Sequence, residues 1–262
     1  MTSSYKIRIA NFNSNIKNYR VVSQKAQAKP WNSAHKQHGL SDNTHMQIDH
    51  IFVRATANAP EAELLRTFGL TEGSGNIHPG QGTQNRRFFF HNAFIELLWI
   101  ADIAEVTSAA TAPTMLHQRL SEPHASPFGV CFRPCPGQTE ASFPVWPYTP
   151  AYLPAGMSIG IARDADLAEP MWFYFEQAQP PEAAPTERSQ PLDHACGAWR
   201  ITAITITTPT EKPWSSAALA AARTEGMTML KGENHLMEVT FDQGACGRQH
   251  DFRPALPLVF HY

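Results

Sequence analysis

Two residues in the first half of the chain, His50 and Glu96, have side chains that can bind a divalent metal. Each lies in a segment rich in β-branched and aromatic residues, 47–55 and 94–100, and these segments are predicted strands. An imidazole and a carboxylate on one face of a sheet suit Mn²⁺, Fe²⁺, Zn²⁺ or Ni²⁺. A complete site needs at least one further ligand. The alternative is a hydrogen-bonded histidine beside a half-exposed strand glutamate.

Two later carboxylates, Glu176 and Glu238, occupy positions in predicted strands that correspond to the position of Glu96. Either carboxylate can serve as a further metal ligand, or as a general base if it binds no metal. We therefore predict both as catalytic residues. His78 and His235 are the reserve candidates for a further metal ligand.

A glycine-rich loop follows the first predicted helix, and its sequence from 78 to 87 is HPGQGTQNRR. The glycines let the backbone approach a ligand closely, and the arginines can bind a carboxylate or a phosphate. The alternative is a tight structural turn with exposed arginines. The loop lacks the P-loop pattern and the context of a dinucleotide-binding motif, so we expect no nucleotide cofactor. The predicted ligand-binding residues are His78, Thr83, Asn85, Arg86 and Arg87.

The order of the predicted elements places these residues in one module. A strand at 47–55 is followed by an amphipathic helix at 60–68, which starts with a proline and ends before a glycine. The glycine-rich loop comes next, and a hairpin of residues 86–91 and 94–100 completes the unit. The pattern predicts a βαβββ module.

Two later regions repeat parts of this order. Residues 197–262 contain a strand, a helix with a serine cap and further strands, which predicts a βαβββ-like module. The middle of the chain predicts a degenerate copy, with a proline-rich stretch in place of the helix. The predicted organisation is a basic, poorly ordered extension at 1–45, a first module at 46–110, a degenerate middle module at 111–177, a linker at 178–196 and a C-terminal module at 197–262.

The composition excludes several classes of function. Residues 1–45 hold seven Lys and Arg against one acid, and the rest of the chain holds 14 basic and 22 acidic residues. Such an acidic body argues against nucleic acid as the main partner, because phosphate binding needs a basic face. No apolar run is long enough for a membrane helix, and the start of the chain lacks a secretory signal. We therefore predict a cytoplasmic protein without a nucleic-acid or membrane partner.

The motifs above resemble those of a known family. Residues 48–51 (IDHI), the loop at 78–85 and residues 95–98 (IELL) look like the glyoxalase-like group of the vicinal-oxygen-chelate superfamily. The resemblance is strong over residues 46–100 and looser afterwards. It implies an α+β fold of repeated βαβββ modules, whose curved mixed sheets surround a cup that binds a small molecule. This is the glyoxalase, bleomycin-resistance and dioxygenase-like fold.

For the catalytic members, the resemblance implies one divalent metal held by the first and last strands of two modules, and His50 and Glu96 match these positions. The chain departs from the pattern because the equivalent of His50 in the second module is Gly129 or Ala203. Two functions therefore stay open. One is a metal-dependent lyase, isomerase or dioxygenase acting on a small oxygenated molecule, and the other is a metal-free binding or sequestration protein. A homodimer is a further expectation.

Overall fold

The computed structural model describes residues 46–262. These residues belong to one compact unit. The basic extension predicted at 1–45 lies outside the described residues. The boundaries predicted between the modules remain predictions.

The first part of the described chain is a βαβββ unit, as predicted. Its helix, Ala62–Phe68, buries Ala62 and Leu65 and ends at Gly69, whose φ of 110° allows its N–H to cap the last turn. The first strand pairs in parallel with the last one, and the two strands between them complete the same sheet. The elements are β1 (Met46–Arg54), α1 (Ala62–Phe68), β2 (Asn76–His78), β3 (Thr83–Phe89) and β4 (Phe94–Ile100).

The middle of the chain adds four strands to the same sheet. Two short helices lead into them, α2 (Ile103–Val106) and α3 (Leu116–Ser121). The strands are β5 (Phe128–Pro134), β6 (Val145–Tyr148), β7 (Ile159–Ala162) and β8 (Met171–Tyr174). They give the sheet the order β2-β3-β4-β1-β5-β8-β7-β6, so two four-stranded units lie side by side. No helix follows β5, where prolines interrupt the chain.

A second sheet of five strands is formed by the end of the chain. The elements are β9 (Ile201–Thr208), α4 (Ser216–Ala221), β10 (Met227–Lys231), β11 (Leu236–Phe241), β12 (Gln249–Asp251) and β13 (Leu258–His261). The strand order is β10-β9-β11-β13-β12. The helix α4 packs its alanines into the core, and Ser215 caps it by accepting a hydrogen bond from the N–H of Ala218.

The C-terminal sheet does not repeat the strand order of the first unit. There, β1 and β4 are parallel neighbours, whereas β9 and β11 are antiparallel neighbours. The reason is that β9, α4 and β10 form a crossover whose two strands pair in parallel, so β11 joins the other side of β9. The correspondence predicted between Glu238 and Glu96 is therefore wrong in terms of sheet position.

The eight-stranded sheet has two faces with different neighbours, because successive strand residues point to opposite sides. One face packs against the C-terminal sheet in a single apolar core, where the rings of Phe90 and Phe241 lie 4.8 Å apart. The other face carries Phe52, Leu98 and Phe173 and packs partly against α2 and α3. This second face curves around the cavity described below.

In the part of the chain that the structure describes, no helix is long and apolar enough to cross a membrane.

Candidate active site

A cavity of about 740 Å³ lies on the face of the eight-stranded sheet that does not contact the C-terminal sheet. This volume suits a small molecule. Its floor consists mainly of residues from three strands of the sheet, β4, β1 and β8, and Cys131 of β5 lies between β1 and β8. Much of the rim comes from residues 177–190, within and just before the predicted linker. The floor residues are His50 and Phe52 of β1, Phe94, Glu96 and Leu98 of β4, and Met171 and Phe173 of β8.

A β-bulge in β1 brings a second polar side chain to the cavity. Ile48 pairs with Phe132 and His50 pairs with Cys131, so Asp49 is an extra residue without a partner on β5. The bulge turns the Asp49 carboxylate toward its neighbour, and the distance from Asp49 Oδ2 to His50 Nδ1 is 2.7 Å. Strict alternation would instead direct Asp49 into the apolar core beside Ile51. The bulge thus creates an Asp–His pair.

Arg133 of β5 holds this pair in place. Its Nη1 donates to the carbonyl oxygens of Ile48 at 2.8 Å and Asn92 at 2.9 Å, and lies 3.4 Å from Asp49 Oδ1. Asp49 is 3% exposed, so its charge needs such a partner. A carboxylate at Nδ1 favours the tautomer with hydrogen on Nδ1. His50 Nε2 is then the nitrogen with a lone pair open to a ligand.

Aromatic rings fix the orientation of the His50 ring. The Phe94 ring stacks on it with a centroid separation of 4.3 Å, and the Phe173 ring meets it edge-on at 5.3 Å. Two apolar neighbours also limit the water around the imidazole. The ring is therefore held between the two four-stranded units of the sheet.

Glu96 lies on the neighbouring strand and is 7% exposed. Its Oε1 accepts a hydrogen bond from Asn85 Nδ2 at 2.9 Å. Asn85 Oδ1 in turn accepts from the backbone N–H of Asn76 at 2.7 Å, which fixes the direction of its amide. Asn85, predicted to bind the ligand, thus contacts Glu96 and positions its carboxylate.

His78 and Thr83 form a buried polar group at one end of the cavity. Gln81 Nε2 donates to Thr83 Oγ1 at 2.7 Å, and Thr83 Oγ1 lies 2.9 Å from His78 Nδ1. Burial lowers the pKa of His78, and the Glu96 carboxylate opposes this change. A neutral ring that accepts the Thr83 hydroxyl hydrogen carries its own hydrogen on Nε2. The Tyr152 ring lies 4.8 Å from the His78 ring and covers it.

The two adjacent arginines of β3 point to opposite sides of the sheet. Arg86 leaves the cavity and pairs with Glu72 at 2.5 Å and Glu63 at 2.9 Å, which raises its pKa. Arg87 lines the cavity, where its Nε donates to the Ser74 carbonyl oxygen at 2.8 Å. Burial lowers the pKa of Arg87. Of the predicted pair, only Arg87 is in the cavity.

The predicted catalytic carboxylates are not in the cavity. Glu176 is exposed beyond the end of β8, beside Gln177. Glu238 lies in the C-terminal sheet, where its Oε2 is 2.8 Å from His261 Nε2. The reserve ligand His235 also lies outside the cavity, with its Nε2 3.4 Å from the His124 carbonyl oxygen. The structure therefore does not bring these residues to His50, and their predicted roles remain untested.

Asp49, His50 and Cys131 have potential ligand atoms within 4.8 Å of one another. The group fits a metal poorly, because Asp49 already contacts His50 and Arg133. Burial raises the pKa of the Cys131 thiol well above its usual range, which disfavours the thiolate that metals bind. Among residues 46–262, no cluster of three such donors includes Glu96. A metal at the predicted pair would take two protein ligands.

Asp49 and Arg133 are the site residues that the sequence analysis missed. A bulge leaves no composition signal, and the contact with Arg133 joins residues 84 positions apart. One feature of the sequence could have indicated Asp49, because it is a charged residue at a strand position that alternation assigns to the apolar core.

Comparison with known proteins supports the fold of the first part of the chain. Residues 48–142 match the sequence model of a glyoxalase-like domain family. No curated protein matches the chain. A solved structure titled a hypothetical protein from Staphylococcus aureus is 13% identical, with a TM-score of 0.47, and the match covers 82% of this chain and 98% of that chain. A hypothetical protein from Bacillus halodurans C-125 is 13% identical, with a TM-score of 0.33, covering 51% and 96%.

The family match begins in β1 and ends in the segment after β5. It includes His50 and Glu96 and the strands that carry them. The observed strand order of the eight-stranded sheet confirms the predicted α+β fold of βαβββ type. Residues 48–142 are therefore similar to a glyoxalase-like domain.

Proposed function

We propose that this chain binds a small oxygenated molecule in the cavity of the eight-stranded sheet and acts on it through His50. The observation that carries the proposal is the Asp49–His50 pair, whose atoms lie 2.7 Å apart at the floor of the cavity. Asp49 occupies Nδ1 and so directs Nε2 to the ligand. An imidazole held in one tautomer by a carboxylate is suited to accept a proton.

The other polar groups of the cavity suit the same chemistry. A proton removed from a carbon beside a carbonyl group passes to His50 Nε2, and the electron pair of the C–H bond moves to the carbonyl oxygen. The N–H groups of Arg87 and His78 are donors for that oxygen, and both residues line the cavity. In a 2-hydroxy carbonyl compound, the proton returns to the former carbonyl carbon while the hydroxyl proton moves to the former carbonyl oxygen, which completes an isomerisation without any co-reactant. Apolar neighbours strengthen these interactions by excluding water.

A divalent metal held by His50 and Glu96 is the second candidate. The observation in its favour is the carboxylate of Asp49 behind His50, an arrangement common for histidines that bind metals. Glu96 lies on the strand next to His50 and lines the same cavity. A bound metal of the Mn, Fe, Zn or Ni type would supply Lewis acidity toward the oxygen atoms of the ligand. The residues facing this pair from β8 are apolar, Met171 and Phe173.

Two measurements test these candidates together. Elemental analysis of untagged protein is made for the wild type, His50→Ala and Glu96→Ala. Deuterium incorporation from D₂O into small 2-oxo and 2-hydroxy acids is then followed by NMR for the wild type and His50→Gln. Incorporation that is lost in His50→Gln, without bound metal, supports the proposal. Near-stoichiometric metal that is lost in both alanine variants supports the second candidate.

Binding without any incorporation or metal would indicate the sequestration protein instead. If none of these acids binds, the proposal is wrong.

A further inference from the structure

Arg87 is a half-buried cation without an acidic partner. Its cross-strand neighbour on β4 is Glu96, yet no carboxylate oxygen lies within 4.0 Å of the guanidinium among the described residues. Asn85 holds the Glu96 carboxylate, and Ser74 holds the guanidinium. The two opposite charges therefore face the same cavity without direct contact, and the Glu96 carboxylate only partly opposes the effect of burial on the pKa of Arg87.

The adjacent Arg86 shows what the same side chain does when its charge is balanced. It contacts two carboxylates, those of Glu72 and Glu63, on the opposite side of the sheet. A cation removed from water without such a partner is unfavourable, and the lowered pKa of Arg87 has the same origin in burial. An anion bound beside Arg87 would remove this cost.

One edge of the Arg87 guanidinium remains open. Nε donates to the Ser74 carbonyl oxygen at 2.8 Å, and Nη2 donates to Ser74 Oγ at 3.2 Å. The guanidinium carbon lies 5.0 Å from the centre of the Phe89 ring, so one of its flat faces is covered. Nη1 has no hydrogen-bond partner among the described residues. A guanidinium fixed in this way is already oriented for a ligand, which favours binding.

Ser74 also ties this arginine to the rim of the cavity. Gln190 Oε1 accepts hydrogen bonds from the Ser74 backbone N–H at 2.9 Å and from its hydroxyl at 3.1 Å. The segment before Gln190 lines the cavity mouth and includes Arg188, a second cation. The end of the cavity near Arg87 thus has two cations in its lining, and Ser74 holds one of them. The floor beyond it is aromatic, with Phe94 and Phe173 around His50.

We infer that the ligand of this cavity carries a carboxylate, which binds the open edge of Arg87. Its apolar body lies against Phe94 and Phe173. A hydroxyl group beside the carboxylate donates to His50 Nε2 or to Glu96, whereas an oxo group in that position accepts from the His78 N–H. The inference rests on the proposed function only for the location of the ligand. The ligand class is a small 2-hydroxy or 2-oxo carboxylic acid with an apolar side group.

The test uses two probes that differ in charge alone, mandelate and mandelamide. The protein is labelled with ¹³C at its methionine methyl groups, because Met171 lies in the cavity floor, and Met171→Leu identifies its signal. Each probe is titrated into the wild type, Arg87→Met and Arg86→Met. Arg86→Met is the matched control, since it removes the adjacent arginine on the other side of the sheet. Arg87→Lys keeps the charge without the forked geometry.

In the wild type, we expect mandelate to shift the Met171 signal with an affinity about tenfold above that of mandelamide. The preference disappears in Arg87→Met, persists in Arg86→Met and is intermediate in Arg87→Lys. Equal affinities in the wild type, or a preference that survives in Arg87→Met, would overturn the inference and leave the proposed function standing. If neither probe shifts the Met171 signal, both the inference and the proposed function fail. The remaining methionine signals report whether each variant is folded.

Discussion

The two four-stranded units of the large sheet share a strand order but differ in chemistry. On the cavity face of the first unit, β1 and β4 carry His50 and Glu96, while the matching strands of the second unit carry Cys131 and Phe173. The second unit also supplies Arg133, which supports Asp49 across the β1–β5 junction. One unit thus provides the reactive groups, and the other provides an apolar wall and the support that holds those groups in place.

The largest expected effect comes from removing that support. Arg133→Ala leaves the buried Asp49 carboxylate without a cation, and the Ile48 and Asn92 carbonyl oxygens without their donor. We expect a loss of about 3–5 kcal/mol in the free energy of unfolding, measured by urea denaturation. Arg163→Ala is the control, because its exposed guanidinium donates only to the Val145 carbonyl oxygen. Equal stability of both variants would show that the two units do not depend on this contact.

The second variant tests whether the Asp49 carboxylate supports His50 in the proposed chemistry. Asp49→Asn removes the charge that fixes the His50 tautomer and keeps the size of the side chain. We expect deuterium incorporation into the substrate to fall about 10²-fold or more, the range typical of a lost acid–base group. Asp251→Asn, which alters an exposed pair with Arg253 in the other sheet, serves as the control. An unchanged rate in Asp49→Asn would remove His50 from the proposed chemistry.

The sequence predicted much of the fold because local patterns determine it. β-branched and aromatic residues predicted β1 and β4, and the proline start and Gly69 predicted α1. The pairing of β9 with β10 was not predictable, since alternation assigns a face to a residue but no neighbour to a strand. For the same reason, the sequence alone could not show whether the strand of Glu238 has the same neighbours as the strand of Glu96.

The candidate site was predictable only in part. The residue types of His50, Glu96, His78 and Arg87 suggested chemistry, and all four line one cavity. The Asp49 bulge depends on Arg133, whose contact no local pattern reveals. Strand alternation places Arg86 and Arg87 on opposite faces of the sheet. Which of these faces borders the cavity depends on which one the second sheet covers.

A third variant tests the packing at the junction of the two four-stranded units, where β1 pairs with β5. Gly129 of β5 pairs with Phe52 of β1, and a Cβ atom at position 129 would lie 2.1 Å from the Phe52 ring. We expect Gly129→Ala to cost about 1–3 kcal/mol of stability through overpacking. The double variant with Phe52→Leu should recover part of this loss, because the smaller side chain leaves room for the methyl group. Additive losses in urea denaturation would contradict this steric explanation.

The smallest expected effect is the pH dependence of stability that comes from His78, at one end of the cavity. Burial lowers the pKa of His78 below the usual value of 6.5, so the unfolded chain binds a proton more readily at this residue. The stabilising contribution is therefore complete above about pH 6.5 and is lost as the pH falls toward the lower pKa of the folded state. We expect His78→Asn to reduce the fall in unfolding free energy between pH 7.5 and 5.5 by less than about 1 kcal/mol. His124→Asn serves as the surface control, since the His124 side chain is 76% exposed. A pH dependence that is the same in His78→Asn and the wild type would mean that His78 is not held neutral by its burial at the cavity wall.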